Sequence, residues 1–137
     1  MLTFERQMWE KTPGLVLAGV DEAGRGCLAG PVVAGAVSMP DELAERLYAG
    51  ELAGLTDSKQ LTALRREAFF EILSNTPGVA LATGWCSAKE IDRFNILVAT
   101  HRAMRRAVEG LPFEVEHVLV DGLPVKGLPC PSTAIVK

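Results

Sequence analysis

Apolar positions follow two rhythms along this chain. Apolar-rich stretches, punctuated by glycine, proline or an acid, mark residues 15–20, 31–39, 79–86, 115–121 and 132–137 as strands. Elsewhere the spacing turns helical. Leu61, Leu64, Ala68 and Ile72 recur on one face, Phe69 and Leu73 widen the stripe, and Arg65, Arg66, Glu67 and Glu71 fall largely on the other side. Asn75-Thr76-Pro77-Gly78 ends that helix. A longer helix is predicted from Ser87, where Ser87-x-x-Glu90 has capping-box spacing, through Leu97, Met104 and Val108 to Leu111. Met104 belongs to its core face, and Gly110 and Pro112 mark its end. The acids-first stretch 41–47 after Pro40 predicts a short helix, and residues 1–13 read as a polar lead-in with at most one helical turn.

The connections between elements suggest how they are arranged. The first two strands are joined by a short segment, which predicts an antiparallel pair. The strand ending at Asp121 follows a helix, so it is predicted to run parallel to a strand already laid down. If it lies beside the first strand, Asp21, Glu22 and Asp121 converge at neighbouring C-terminal strand ends, where ligand crevices of α/β sheets form. The predicted class is α/β, one domain over residues 1–137.

That convergence matters because of the first acidic turn, Gly19-Val20-Asp21-Glu22-Ala23-Gly24-Arg25-Gly26. Two adjacent carboxylates at the end of a buried strand are costly unless something compensates their charge. A divalent ion does so, and Mg²⁺ or Mn²⁺ suits oxygen-only ligands. Gly24 and Gly26 permit a tight turn and close backbone approach to a ligand, and Arg25 between them can hold a phosphate or balance the acids. Gly24-x-Gly26-x-x-Ala29 matches the dinucleotide fingerprint in form, but that motif must open a helix and a strand-like run follows here. An ordinary hairpin turn with solvated acids is the other reading of the local pattern. In Thr56-Asp57-Ser58-Lys59, Ser58 and Lys59 either start the following helix or contact a nucleic-acid phosphate. Arg102, Arg105 and Arg106 form a basic face, which is more often solvated than functional. His101 and His117 have no partner at metal-ligand spacing.

Composition narrows the class. The net charge of −3 argues against a general nucleic-acid coat protein, though not against an enzyme with a small basic contact surface. Cys27, Cys86 and Cys130 are odd in number and widely spaced, which fits reduced cytosolic thiols better than a disulfide framework or a zinc site. No apolar stretch is long enough to span a bilayer, and the first fourteen residues lack the apolar core of a secretory signal.

Four ordered motifs then carry a resemblance. The acidic glycine turn with Gly30-Pro31 after it, Asp57-Ser58-Lys59-x-Leu61, Glu90-Ile91-Asp92-x-x-Asn95-Ile96-Leu97 and Val120-Asp121-Gly122 together resemble the ribonuclease HII family. The resemblance implies a ribonuclease H-like fold, a mixed sheet flanked by helices. It also implies two-metal cleavage of RNA in RNA–DNA hybrids and of single ribonucleotides embedded in duplex DNA. By carry-over, Asp21, Glu22 and Asp121 are metal ligands for Mn²⁺ or Mg²⁺. Gly24, Arg25 and Gly26 sense the ribose 2′-hydroxyl in the minor groove, and Ser58 and Lys59 are phosphate contacts. A cytoplasmic enzyme, monomeric at full length with no obligate protein partner, is implied too.

The departures qualify that expectation. Cys27 stands where the family usually has proline. In the family, Ala134-Ile135-Val136-Lys137 runs on into a Gly-Asp pair whose aspartate is a fourth active-site carboxylate. Covering helices and a junction-stacking tyrosine follow it, and Tyr48 is in the wrong place to substitute. The chain is therefore expected to match roughly the N-terminal two-thirds of the enzyme, with the C-terminal helices absent. A non-catalytic hybrid-binding fragment is the alternative function.

Overall fold

The structure, a computed structural model, describes residues 3–23, 31–50, 71–122 and 124–135, with Thr3, Ala23 and Asp121 described by backbone alone. The predicted Ser58–Lys59 loop, the start of the helix after it and the glycine turn at 24–30 lie outside the described residues. The chain divides into two compact units, one made of Met1–Leu15 and Met39–Val79, the other of Val16–Ser38 and Ala80–Lys137.

The larger unit holds a five-stranded mixed sheet. Its strands are β1 (Leu17–Ala23), β2 (Val32–Ser38), β3 (Ala80–Cys86), β4 (His117–Asp121) and β5 (Ser132–Ile135), in the spatial order β3-β2-β1-β4-β5. The first three form an antiparallel meander, while β4 pairs parallel to β1 and β5 parallel to β4. Both predicted pairings of the first strand are therefore present. That strand also runs farther than its apolar residues suggest, because β2 keeps pairing with it through Asp21, Glu22 and Ala23.

One face of the sheet carries the core. Ala18, Val20, Val32, Ala34, Ala36, Val118 and Val120 alternate onto it and pack with Ala103, Met104, Ala107 and Val108. Those four lie on the inner stripe of a helix spanning Ile96–Glu109. The core is built from small side chains, so the helix comes close to the sheet. A Cβ on Gly84 of β3 would collide with the Ala103 carbonyl and the Ala107 amide. Glycine is required at that position by proximity rather than by an unusual backbone angle.

The single helix expected between β3 and β4 is two. The capping box is formed as predicted, with Ser87 accepting from the Glu90 amide and the Glu90 carboxylate accepting from the Ser87 amide. Beyond it the chain breaks at Asn95, whose φ of 75° interrupts the helical hydrogen-bond run. The Asn95 side chain then accepts from the Val98 amide and caps the next helix. Apolar spacing does not register this break, since Ile91, Ile96 and Met104 still reach the core from both sides of it.

In the smaller unit the polar lead-in is a nine-residue helix, α1 (Thr3–Lys11). Trp9 is buried with its indole N–H on the Leu15 carbonyl at 3.0 Å, and Arg6 makes a bidentate pair with Glu45 at 2.6 and 2.7 Å. Glu45 belongs to α2 (Asp41–Ala49), which starts where the acids predicted and buries Leu43, Ala44 and Leu47. The partners that order α1 are remote in sequence, which explains why its own composition underpredicts it. In chain order, the two helices between β3 and β4 are α3 (Ala88–Phe94) and α4 (Ile96–Glu109).

Candidate functional site

The candidate site is built by the strand register. Leu17 pairs with His117, and the ladder runs on to Val20–Val120. The next residue of each strand is an aspartate, Asp21 on β1 and Asp121 on β4. Two acids a hundred positions apart in the chain thus stand at neighbouring C-terminal strand ends. The β1–β4 ladder stops at that point, while β1 continues against β2 to Ala23–Val33. Residues 21–23 therefore extend past the ladder with β4, which is the geometry of a crevice at strand ends.

Alternation then separates the two neighbouring acids. Asp21 is exposed and pairs across β2 with Gly35, a position with open space where a side chain would stand. Its Oδ1 accepts a hydrogen bond from the Glu22 amide at 2.8 Å. Glu22 follows the alternation of Ala18 and Val20, pairs with Ala34 and is half-buried. Asp21 and Asp121 thus stand at the ends of adjacent strands, and Glu22 leaves the strand toward the α4 face just beyond the end of the β1–β4 ladder. Among the described residues, no group of three His, Cys, Asp or Glu side chains is set to hold a metal, the Asp121 side chain not being among them. The donors at this place are carboxylates, which fits hard divalent ions better than zinc or copper. Gly24, Arg25, Gly26, Ser58 and Lys59 lie outside the described residues.

Sequence reasoning did not anticipate the cluster at the C-terminal end of β3. Arg106, read as part of a solvated basic face, donates to both Glu90 carboxylate oxygens at 3.0 and 2.8 Å and to the Trp85 carbonyl at 2.7 Å. It also lies 3.3 Å from the Cys86 sulfur. Hydrogen bonds from Arg106 and then from the Ser87 amide push the Glu90 carboxyl down to about 2. Burial raises the Cys86 thiol, and its sulfur is packed in the core. The rest of the basic face is also engaged: Arg105 pairs with Glu109 at 2.6 Å, and Arg102 lies 4.0 Å from the centre of the Phe94 ring. The signal available in the sequence was the spacing from Glu90 to Arg106 across two helices, which has meaning only once Asn95 breaks them apart. The histidines take structural roles. His117 shares a hydrogen bond with Thr133 of β5 at 2.8 Å, and His101 accepts from the Lys126 amide at 3.4 Å.

Comparison with known proteins places this geometry. Residues 18–137 match the family model described as Ribonuclease HII. Ribonuclease HII from Brucella canis is 50% identical over 123 residues, covering 88% of this chain and 52% of that protein. The crystal structure of ribonuclease H2 from Pyrococcus horikoshii superposes with a TM-score of 0.67 at 28% identity, over 88% of this chain and 62% of that one. A structure of Bst-RNase HIII in complex with Mn²⁺ shares the fold, with a TM-score of 0.55 at 23% identity, over 85% of this chain and 40% of its own. The chain spans about half the length of the curated relatives it matches. Among the described residues no helix is long and apolar enough to cross a membrane.

Proposed function

The chain belongs to the ribonuclease HII family, and on that premise we propose that it carries the acidic centre of a metal-dependent endonuclease. The substrates are the RNA strand of RNA–DNA hybrids and single ribonucleotides embedded in duplex DNA. The observation that supports this most is the parallel ladder that ends at Val20–Val120 and leaves Asp21 beside Asp121. With Glu22, these carboxylates would hold Mn²⁺ or Mg²⁺. Such ions, when bound in a pair, supply an activated water and a stabilised 3′ leaving oxygen.

The chain's own residues do the rest. Asp21 and Asp121 concentrate negative charge at one strand end, and Glu22 supplies a third carboxylate just past the ladder. Gly24, Arg25 and Gly26 press backbone against the minor groove, where only the 2′-hydroxyl tells RNA from DNA. Ser58 and Lys59 contact phosphates and set register without reading bases. Residues 1–137 act as one domain in this reading, in the cytoplasm, without an obligate protein partner.

The test is a cleavage assay on a duplex containing one ribonucleotide. Cleavage that needs Mn²⁺ or Mg²⁺, disappears with chelator and disappears in Asp21→Asn supports the nuclease. Binding that depends on the 2′-hydroxyl without any turnover supports the alternative, a hybrid-binding module. Neither cleavage nor preference for the 2′-hydroxyl overturns both readings.

A further inference from the structure

We propose that Arg93 and Arg102, gathered on the ring of Phe94 where α3 meets α4, hold the phosphate backbone of the substrate duplex away from the bond that is cut. The inference rests on the nuclease reading and adds a second contact to it, at residues which that reading does not use.

Trp85 pairs with Val33, which pairs with Ala23, so the C-terminal end of β3 lies at the same end of the sheet as Asp21. Arg106 bonds to the Trp85 carbonyl, while Gly110, one turn on, lies near Ala82. Helix α4 therefore runs antiparallel to β3, and its N-terminal turns lie toward the site end of the sheet. Arg102 stands one turn before Arg106, in that direction, and is exposed. Strand spacing and helical rise put it roughly 15 Å from Asp21. A duplex covers that distance in about four base-pair steps of ~3.4 Å.

Residues 88–109 carry five Lys or Arg against three acids, in a chain whose net charge is −3. Two of those acids are already taken, Glu90 by Arg106 and Glu109 by Arg105. Among the described residues no carboxylate pairs with Arg93 or Arg102. Their guanidinium carbons lie 5.3 and 4.0 Å from the Phe94 ring centre, and both side chains are exposed. Two cations drawn to one ring gather positive charge at the junction, which favours an anion beside them. The aromatic face also holds each guanidinium plane while its N–H groups remain available to phosphate oxygens. The Asn95 cap sets this junction, so the pair is presented on rigid helix and not on a loop.

The experiment measures fluorescence anisotropy of a labelled RNA–DNA hybrid with the 137-residue chain in chelator, across about 50–200 mM salt. Removing two phosphate contacts should lower the slope of log affinity against log salt by about 2, at ~0.9 per contact. R93Q/R102Q should show that fall and bind about tenfold more weakly at the low-salt end, while R93K/R102K retains the slope. Thermal melts that match the wild type confirm that both variants are folded. An unchanged slope in R93Q/R102Q, with hybrid binding intact, overturns this contact and leaves the nuclease reading standing. No salt-dependent hybrid binding by the wild-type chain overturns both.

Discussion

Val20 of β1 and Val120 of β4 pair side by side in parallel register, and each is followed at once by an aspartate. The two valines are buried on the α4 face, so a one-residue slip would turn apolar side chains out of the core. The hydrophobic core thereby sets which acids become neighbours. Packing and chemistry are linked through register at this point of the fold.

Asp21→Asn should abolish Mn²⁺- or Mg²⁺-dependent cleavage of hybrid while changing stability by less than about 0.5 kcal/mol, since the side chain is exposed. Cleavage kinetics and a urea titration read the two effects separately. Turnover at the wild-type rate would place the catalytic acids elsewhere.

A divalent ion held by these acids should also stabilise the folded chain by mass action, by about 2.7 kcal/mol at a hundredfold excess over its dissociation constant. Melting curves with and without Mn²⁺ should separate for the wild type and coincide for Asp21→Asn. An equal upward shift in both proteins would mean the ion binds at another place.

Gly84 and Gly35 occupy neighbouring strands but differ in what surrounds them. A methyl group at Gly84 meets α4 backbone, whereas one at Gly35 meets open space. Gly84→Ala should therefore cost about 3 kcal/mol or more by overpacking, and Gly35→Ala should stay within about 0.5 kcal/mol. Equal denaturation midpoints for the two variants would contradict the close approach of α4 to β3.

Acid should weaken the junction between β3 and α4. The Glu90 carboxyl is held at about 2 in the folded chain, against an ordinary value of 4.5, first by Arg106 and then by the Ser87 amide. A depressed carboxyl contributes stability above its unfolded value and loses it as pH falls toward the folded one. The melting-temperature gap between wild type and Glu90→Gln should thus be full near neutral pH and shrink from pH 4.5 toward about 2. Parallel profiles through that window would show that the pair adds no such linkage.

The amino-acid sequence by itself determined the elements whose causes are local. Apolar runs specify the strands because each must bury a face, and Ser87 with Glu90 specifies a helix start because both partners lie within one turn. The two acidic strand ends were legible for the same reason, as was their meeting across a hundred positions, since a helix between strands constrains the later one to run parallel. Tertiary structure decided what depends on remote partners. Helix α1 acquires Trp9 burial and the Arg6–Glu45 pair only when folded, Asn95 divides one apolar stripe into two helices, and Arg106 is withdrawn from the basic face by Glu90. It also set Glu22 on the α4 face just past the end of the β1–β4 ladder, because in a strand adjacent side chains take opposite faces whatever their chemistry.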